Sequence, residues 1–71
     1  MKRDGIGPPD PQGYYVVIVP SDKRRRIEKI LEKHQENILV EKTSNEIIIR
    51  TKSRRIARLI YKLIQNQISR L

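Results

Sequence analysis

The sequence predicts a single α+β domain of the order β-α-β-β-α, in which two helices cover one face of a three-stranded antiparallel sheet. Residues 14–19 are all β-branched or aromatic, which is typical of a strand. Two further apolar runs flank a short polar turn at residues 44–45, which is typical of a hairpin. Two longer segments repeat their apolar residues with a helical period. The length of 71 residues allows one domain, which we place at residues 14–71.

The first strand is followed directly by the first helix. Pro20 ends the strand, Ser21 is a suitable N-cap for the helix, and Asp22 lies in its first turn. We expect this helix to extend to about Gln35. Its apolar positions have the spacing i, i+3, i+4, i+7 of one buried helix face: Ile27, Ile30, Leu31 and His34.

The hairpin and the last helix complete the domain. Residues 38–43 and 46–51 predict the second and third strands, which must run antiparallel because only Ser44-Asn45 joins them. Thr51 or Ser53 is expected to cap a last helix that extends to the C-terminus. We expect the first strand to join the same sheet, with both helices on one face of it.

The N-terminal segment, residues 1–13, differs in composition from the rest of the chain. It contains all three glycines and three of the four prolines, but little apolar surface. Since such a segment cannot offset its ordering entropy by burial, we expect a flexible tail. Its charged residues cancel, so the net charge of +8 belongs to the other 58 residues.

Basic residues form stripes along both predicted helices. The last helix contains no acidic residue, whereas Glu28 and Glu32 partly neutralise the first. A polyanion would relieve the repulsion within such stripes, although a charge run is also compatible with a merely solvated face. Contacts of this kind position a protein on phosphates without reading bases. We expect nucleic-acid contacts from eight residues: Arg25, Arg26, Lys29, Lys33, Arg54, Arg55, Arg58 and Lys62.

The sequence contains more apolar residues than one layer of helices on the sheet would bury. Those of the last helix span an arc of roughly 200°, about twice the width that a surface helix needs. Either the first helix takes up the excess or an external partner does. The strand alternation also leaves apolar residues on the outer sheet face, which favours dimerisation. The predicted partner interface comprises Ile56, Leu59, Ile60, Leu63 and Ile64 of the helix, with Leu39 and Ile48 of the sheet.

The sequence offers few of the groups that catalysis or metal binding needs. There is no cysteine, and the single histidine, His34, continues the apolar stripe of the first helix. Gly5 and Gly7 follow no strand, so they do not predict a phosphate-binding loop. We therefore expect a protein that is not an enzyme, with no catalytic residue, no metal site and no cofactor.

The apolar runs are too short to predict a membrane protein. The longest, residues 14–19, falls far below the ~20 residues of a membrane span. Lys2 and Arg3 precede glycines and prolines rather than the apolar stretch of a signal peptide. We expect a cytoplasmic protein without membrane contacts. Twelve isoleucines, with many Lys, Arg and Glu residues, favour a thermophilic source.

The order of elements resembles that of a known family. The features that carry the resemblance are the β-α-β-β-α order, the junction Val19-Pro20-Ser21, the hairpin of residues 40–49 and the long closing helix. Together, over about residues 14–70, they resemble the small Pcc-type subunit of the KEOPS complex. That complex makes threonylcarbamoyl-adenosine on tRNA in archaea and eukaryotes.

The resemblance implies a non-catalytic, dimeric subunit that docks on a large catalytic subunit and helps to hold tRNA. By matching elements, the apolar arc of the last helix would dock on that subunit. Five basic residues would contact tRNA phosphates: Arg25, Lys29, Arg54, Arg58 and Lys62.

Three features depart from the family pattern. The link between the first helix and the second strand is only about two residues long, residues 23–26 are unusually basic, and the Pro-rich segment at residues 1–13 is not a family feature. They favour a divergent paralogue, such as an accessory archaeal subunit that pairs with the standard one, in a homo- or heterodimer. The alternatives are a free-standing basic dimer that binds nucleic acid, of the chromatin or viral regulator type, and a protein-interaction adaptor.

Overall fold

Two helices and three strands make up the domain. The computed structural model describes the backbone of residues 6–69 and the side chains of residues 6–67. Its elements are β1 (Tyr15–Pro20), α1 (Arg24–Lys33), β2 (Leu39–Lys42), β3 (Glu46–Thr51) and α2 (Arg54–Ser69), with 3-10 turns at Ser21–Lys23 and Gln35–Asn37. The predicted α+β class and order of elements are confirmed. Residues 1–5 of the expected tail, and the predicted end of the last helix at Leu71, lie outside the described residues.

The sheet has the order β1-β3-β2, and β3 runs antiparallel to both neighbours. Its register pairs Val17 with Ile49 and Val19 with Ile47, and all four side chains are buried. Residues between them on each strand are more exposed, so one face of the sheet carries the core and both helices pack on it. Among residues whose side chains the structure describes, the helices contribute six buried ones: Ile27, Ile30, Leu31, Ala57, Ile60 and Ile64.

The start of the first helix differs from the prediction. Ser21 does not cap a helix, because its N–H donates to the carbonyl of Asn45 (2.9 Å) and its hydroxyl donates to the carbonyl of Ser44 (3.1 Å). These bonds form because Pro20 pairs with Glu46 and so brings Ser21 beside the hairpin turn. A tertiary contact has replaced the local cap. The α-helix ends at Lys33, and a separate 3-10 turn covers the predicted last residue.

The second strand is shorter than predicted and lies at an edge of the sheet. Val40 lies opposite Ile49, on the side that the helices cover, yet its side chain is 38% exposed. Ile38, immediately before the strand, is buried. The helices therefore bury the side chain of Ile38, but they leave Val40 of the edge strand partly exposed to solvent.

The cap of the last helix is Ser53, one of the two predicted candidates. Its hydroxyl accepts a hydrogen bond from the N–H of Ile56 (3.2 Å). Thr51 is buried and has another role, since its hydroxyl donates to the carbonyl of Asn37 (2.9 Å) and accepts from the N–H of Ser53 (3.2 Å). Thr51 thus ties the end of β3 to the segment before β2.

The segment before β1 packs on the domain. Ile6 is only 8% exposed and belongs to the hydrophobic core. Asp10 forms a turn in which its backbone and its carboxylate both bond to Tyr14. This corrects the expectation of a flexible tail for residues 6–13. The composition of the segment does not predict these contacts, because they come from two single groups, the side chain of Ile6 and the carboxylate of Asp10.

Candidate nucleic-acid interface

The positive charge of the protein is concentrated on its helical side. α1 contains five basic and two acidic residues, and α2 contains four basic and no acidic residue, so the two helices hold seven of the eight net charges. The three strands contain two basic and two acidic residues, which cancel. The positive charge is therefore carried by the helices, whereas the strands have no net charge.

All eight residues predicted to contact nucleic acid are exposed. The buried residues of each helix fix its orientation, so the basic residues on the opposite side of the helix point away from the sheet. At the start of α2, the guanidinium of Arg54 lies over the ring of Tyr15, 5.6 Å from its centroid. The exposed set consists of Arg25, Arg26, Lys29, Lys33, Arg54, Arg55, Arg58 and Lys62.

The two basic stripes are neighbours on one surface, because α1 packs against α2. Packed helices have axes about 8–10 Å apart. Within α2, Arg54, Arg58 and Lys62 follow each other at four-residue steps, and each step advances about 6 Å along the axis. We call the exposed side of the two helices, with these eight residues, the basic layer. Its geometry suits a polyanion that lies across both helices.

The predicted partner interface on α2 is mostly occupied by the protein's own core. Ile60 and Ile64 are fully or almost fully buried, so they are not available to a partner, and the prediction is wrong for both. The reason is that α2 packs on β1, on β3 and on α1, which together cover two sides of its apolar arc. Ile56 and Leu63 pack partly against the core, and only Leu59, at 41%, is well exposed.

The outer face of the sheet exposes apolar side chains beside three charged ones, Glu41, Glu46 and Arg50. Leu39, 55% exposed, and the half-buried Ile48 both lie there, as the alternation predicts, with Leu39 opposite Arg50 and Ile48 opposite Glu41. Ile18, which no prediction named, is the most exposed large apolar side chain at 56%. Its position between the buried Val17 and Val19 is the sequence signal for this exposure. On the same face, Arg50 donates to the carboxylate of Glu41 (2.8 Å).

Aromatic side chains contribute little to the basic layer. Tyr61, the one aromatic residue of the two helices, is half-buried against the core. Tyr15 packs against the core below Arg54, and the ammonium of Lys52 lies 4.9 Å from the centroid of the Tyr14 ring. The described part of the basic layer therefore lacks the exposed rings on which unpaired bases stack.

A shallow depression of about 210 Å³ lies between the start of β1 and the segment around β2. It is lined by Tyr14, Glu36, Asn37, Ile38, Leu39, Arg50, Thr51 and Lys52. Among residues 6–69, no group of three acidic or histidine side chains is placed to hold a metal ion. Within the same range, neither helix has the length and apolar character that crossing a membrane requires.

Comparisons with protein-family models, with curated proteins and with solved structures gave no match to this chain.

Proposed function

We propose that the protein is a non-catalytic, cytoplasmic nucleic-acid-binding subunit whose basic layer holds a phosphate backbone. One observation carries the proposal: two adjacent helices expose seven of the eight net positive charges on one side of the molecule. Phosphate neutralisation with release of counterions is the main source of affinity for such a surface. The outer face of the sheet, which lies away from the helices, takes no part in this contact.

The basic layer favours a folded or double-stranded nucleic acid over an unpaired strand. Its charged groups lie on two helices, while the aromatic rings beside them, Tyr15 and Tyr61, are half-buried. Proteins that bind unpaired strands combine positive grooves with exposed aromatic rings. Binding through phosphates alone is independent of base sequence, so selectivity would come from the shape of the backbone.

The resemblance to the Pcc-type subunit makes tRNA the first nucleic acid to test. In this form of the proposal, the protein is an accessory subunit of a complex that synthesises threonylcarbamoyl-adenosine, and it docks on a larger catalytic subunit. Because Ile60 and Ile64 are buried, docking through α2 would have to use Ile56, Leu59 and Leu63. This remaining apolar strip is much narrower than the predicted arc.

The narrow strip is the observation that favours a second candidate, a free-standing basic protein that binds nucleic acid by charge alone. The two candidates differ in selectivity. The tRNA-complex subunit should prefer folded tRNA to duplex DNA of equal length at ~150 mM salt, close to physiological ionic strength. The free-standing protein should bind both equally, with an affinity that falls steeply as salt is raised.

The test of the basic layer is a matched pair of double variants. Arg55→Gln/Lys62→Gln removes two exposed charges from α2, and Lys42→Gln/Lys52→Gln removes two exposed charges outside the helices. Fluorescence anisotropy with labelled tRNA should show roughly tenfold weaker binding for the first variant, since each phosphate contact contributes a few-fold to affinity. The second variant should change affinity less than about twofold.

The same measurement can overturn the proposal. An equal loss of affinity in both double variants would mean that net charge alone, and not the basic layer, determines binding. Wild-type affinity in the α2 variant would mean that the nucleic acid is bound elsewhere, or that the positive surface is incidental to a protein-interaction adaptor. Circular dichroism of each variant serves as the control for folding.

A further inference from the structure

Two contacts fix the path of the segment that precedes β1. At one end, the N–H of Asp10 donates to the carbonyl of Tyr14 (2.7 Å), and its carboxylate accepts the N–H of Tyr14 (2.8 Å). At the other end, the side chain of Ile6 is buried in the hydrophobic core, together with Val17 and Val19 of β1. The chain between Ile6 and Asp10 can span at most about 14 Å. The segment is therefore held close to β1 at both of its ends.

The contacts of Asp10 place this segment at the outer edge of β1. The N–H of Ser21 donates to the carbonyl of Asn45, and these two residues continue the register of β1 with β3. Backbone groups of an antiparallel strand point alternately to either side, so the odd-numbered residues of β1 point towards β3, as Ser21 does. Tyr14 has the opposite parity, so Asp10 bonds to it on the side away from β3. The chain therefore returns along the outer edge of β1 before Ile6 enters the core.

The two edges of the sheet differ in how their own residues protect them against a further strand. β2 has only four residues, and two of these, Glu41 and Lys42, are charged. β1 has six residues and no charge. By the alternation along β1, the N–H and C=O groups of Val16 and Ile18 point towards the outer edge. Such a strand is a template for a further strand unless something covers it, so β1 needs protection that its own sequence does not supply.

The composition of the preceding segment suits a cover for this edge. Gly7, Pro8 and Pro9 lie between the two contacts and are exposed. Proline has no N–H, so neither Pro8 nor Pro9 can donate a hydrogen bond to an additional strand. Natural sheets protect an open edge by covering it with a loop or by placing proline on it. The segment does both for β1.

We propose that residues 6–10 are a strap that closes the outer edge of β1 against strand addition, and that the buried side chain of Ile6 holds the strap in place. The strap is joined to β1 through the single turn that Asp10 stabilises, so it can detach while the strands and helices keep their own contacts. Once Ile6 has left the core, β1 is accessible to an extended segment that adds to the sheet by main-chain hydrogen bonds. This device does not depend on the binding of nucleic acid.

The test compares three variants of the full chain, with self-association as the probe of an open edge. Ile6→Asp introduces a charge that cannot stay in the core, so the strap should detach. Ile30→Ala weakens the core in α1 and leaves Ile6 in place, so it controls for lost stability. Ile6→Asp/Ile18→Pro opens the edge but removes one of its N–H groups. In sedimentation equilibrium, Ile6→Asp should associate at least about tenfold more strongly than wild type, whereas the other two variants should stay within about twofold of it.

Other outcomes would overturn the strap. Unchanged self-association of a folded Ile6→Asp variant contradicts it directly. An equal gain in Ile30→Ala would attribute the association to lost stability, and a gain that Ile18→Pro does not reverse would place it on another surface. If Ile6→Asp fails to fold, the wild type decides: nuclear Overhauser contacts should connect the rings of Pro8 and Pro9 with the backbone of residues 16–18. The absence of these contacts would exclude the strap.

Discussion

Asp10 holds Tyr14 by two hydrogen bonds that run in opposite directions. The backbone N–H of Asp10 donates to the Tyr14 carbonyl at 2.7 Å, and Oδ1 of Asp10 accepts the Tyr14 N–H at 2.8 Å. The same oxygen accepts the N–H of Gln12 at 3.0 Å. Gly13 completes the turn with a φ of 91°, a conformation that glycine adopts without strain. This turn connects the segment that contains the buried Ile6 to the start of β1.

The carboxylate of Asp10 should contribute measurably to stability. Asp10→Ala removes the acceptor for two backbone N–H groups, so we expect a loss of about 1 kcal/mol in the free energy of unfolding. Asp10→Asn keeps a side-chain oxygen at the same place and should cost less than about 0.5 kcal/mol. Urea denaturation at a fixed protein concentration measures both. Equal loss in the two variants would mean that the carboxylate bonds do not stabilise the turn.

Ile6 should behave as a core residue despite its place in a Gly- and Pro-rich segment. Truncating a buried isoleucine to alanine costs about 2–5 kcal/mol, so we expect Ile6→Ala to lower the free energy of unfolding by about 2 kcal/mol or more. Gln12→Ala changes an exposed side chain of the same segment and should alter it by less than about 0.5 kcal/mol. Urea denaturation compares the two. A change at Ile6 as small as that at Gln12 would restore the flexible-tail interpretation.

The buried hydroxyl of Thr51 should matter more than its methyl group. Thr51→Val keeps the shape but removes the bonds to Asn37 and Ser53, and we expect a cost of about 2 kcal/mol. Thr51→Ser keeps the hydroxyl and should cost about 1 kcal/mol for the lost methyl group. Thermal and urea unfolding measure the difference. A valine variant as stable as wild type would show that the two bonds add nothing net.

The two helices should contribute to one nucleic-acid surface. Arg25→Gln/Lys29→Gln on α1 removes the same charge as the double substitution on α2, so we expect a similar, roughly tenfold, loss of affinity for tRNA. Fluorescence anisotropy under identical buffer conditions is the measurement, with Lys42→Gln/Lys52→Gln as the control. Unchanged binding of the α1 variant would restrict the interface to α2.

Local patterns were enough to predict the fold and the basic layer. The apolar spacing of α1 and the short turn at residues 44–45 are properties of neighbouring residues, and the structure confirms the elements that they predict. The exposure of Arg55 and Lys62 follows from the same helical period, because Ile60 and Ile64 occupy the opposite side of α2. Whether those exposed charges bind a nucleic acid stays a prediction.

The structure differs from the sequence-based predictions where distant parts of the chain come into contact. Ser21 bonds to the hairpin turn because the β1–β3 register places it there, and no local pattern encodes that register. Ile6 is buried although its neighbours are glycines and prolines, since burial of one side chain depends on the space that the helices and sheet leave. The wide arc of α2 predicts a partner interface at Ile60 and Ile64 because its sequence does not reveal how much of the arc α1 and the sheet cover.

The salt dependence of binding tests the basic layer most directly. For wild type, the plot of log Kd against log salt concentration should rise with a slope near 0.9 per phosphate contact. Arg55→Gln/Lys62→Gln should lower that slope by about 2, roughly one unit for each phosphate that the variant no longer neutralises, while Lys42→Gln/Lys52→Gln should leave it unchanged. Identical slopes for wild type and the α2 variant would contradict the account, because the basic layer would then not contact the phosphates.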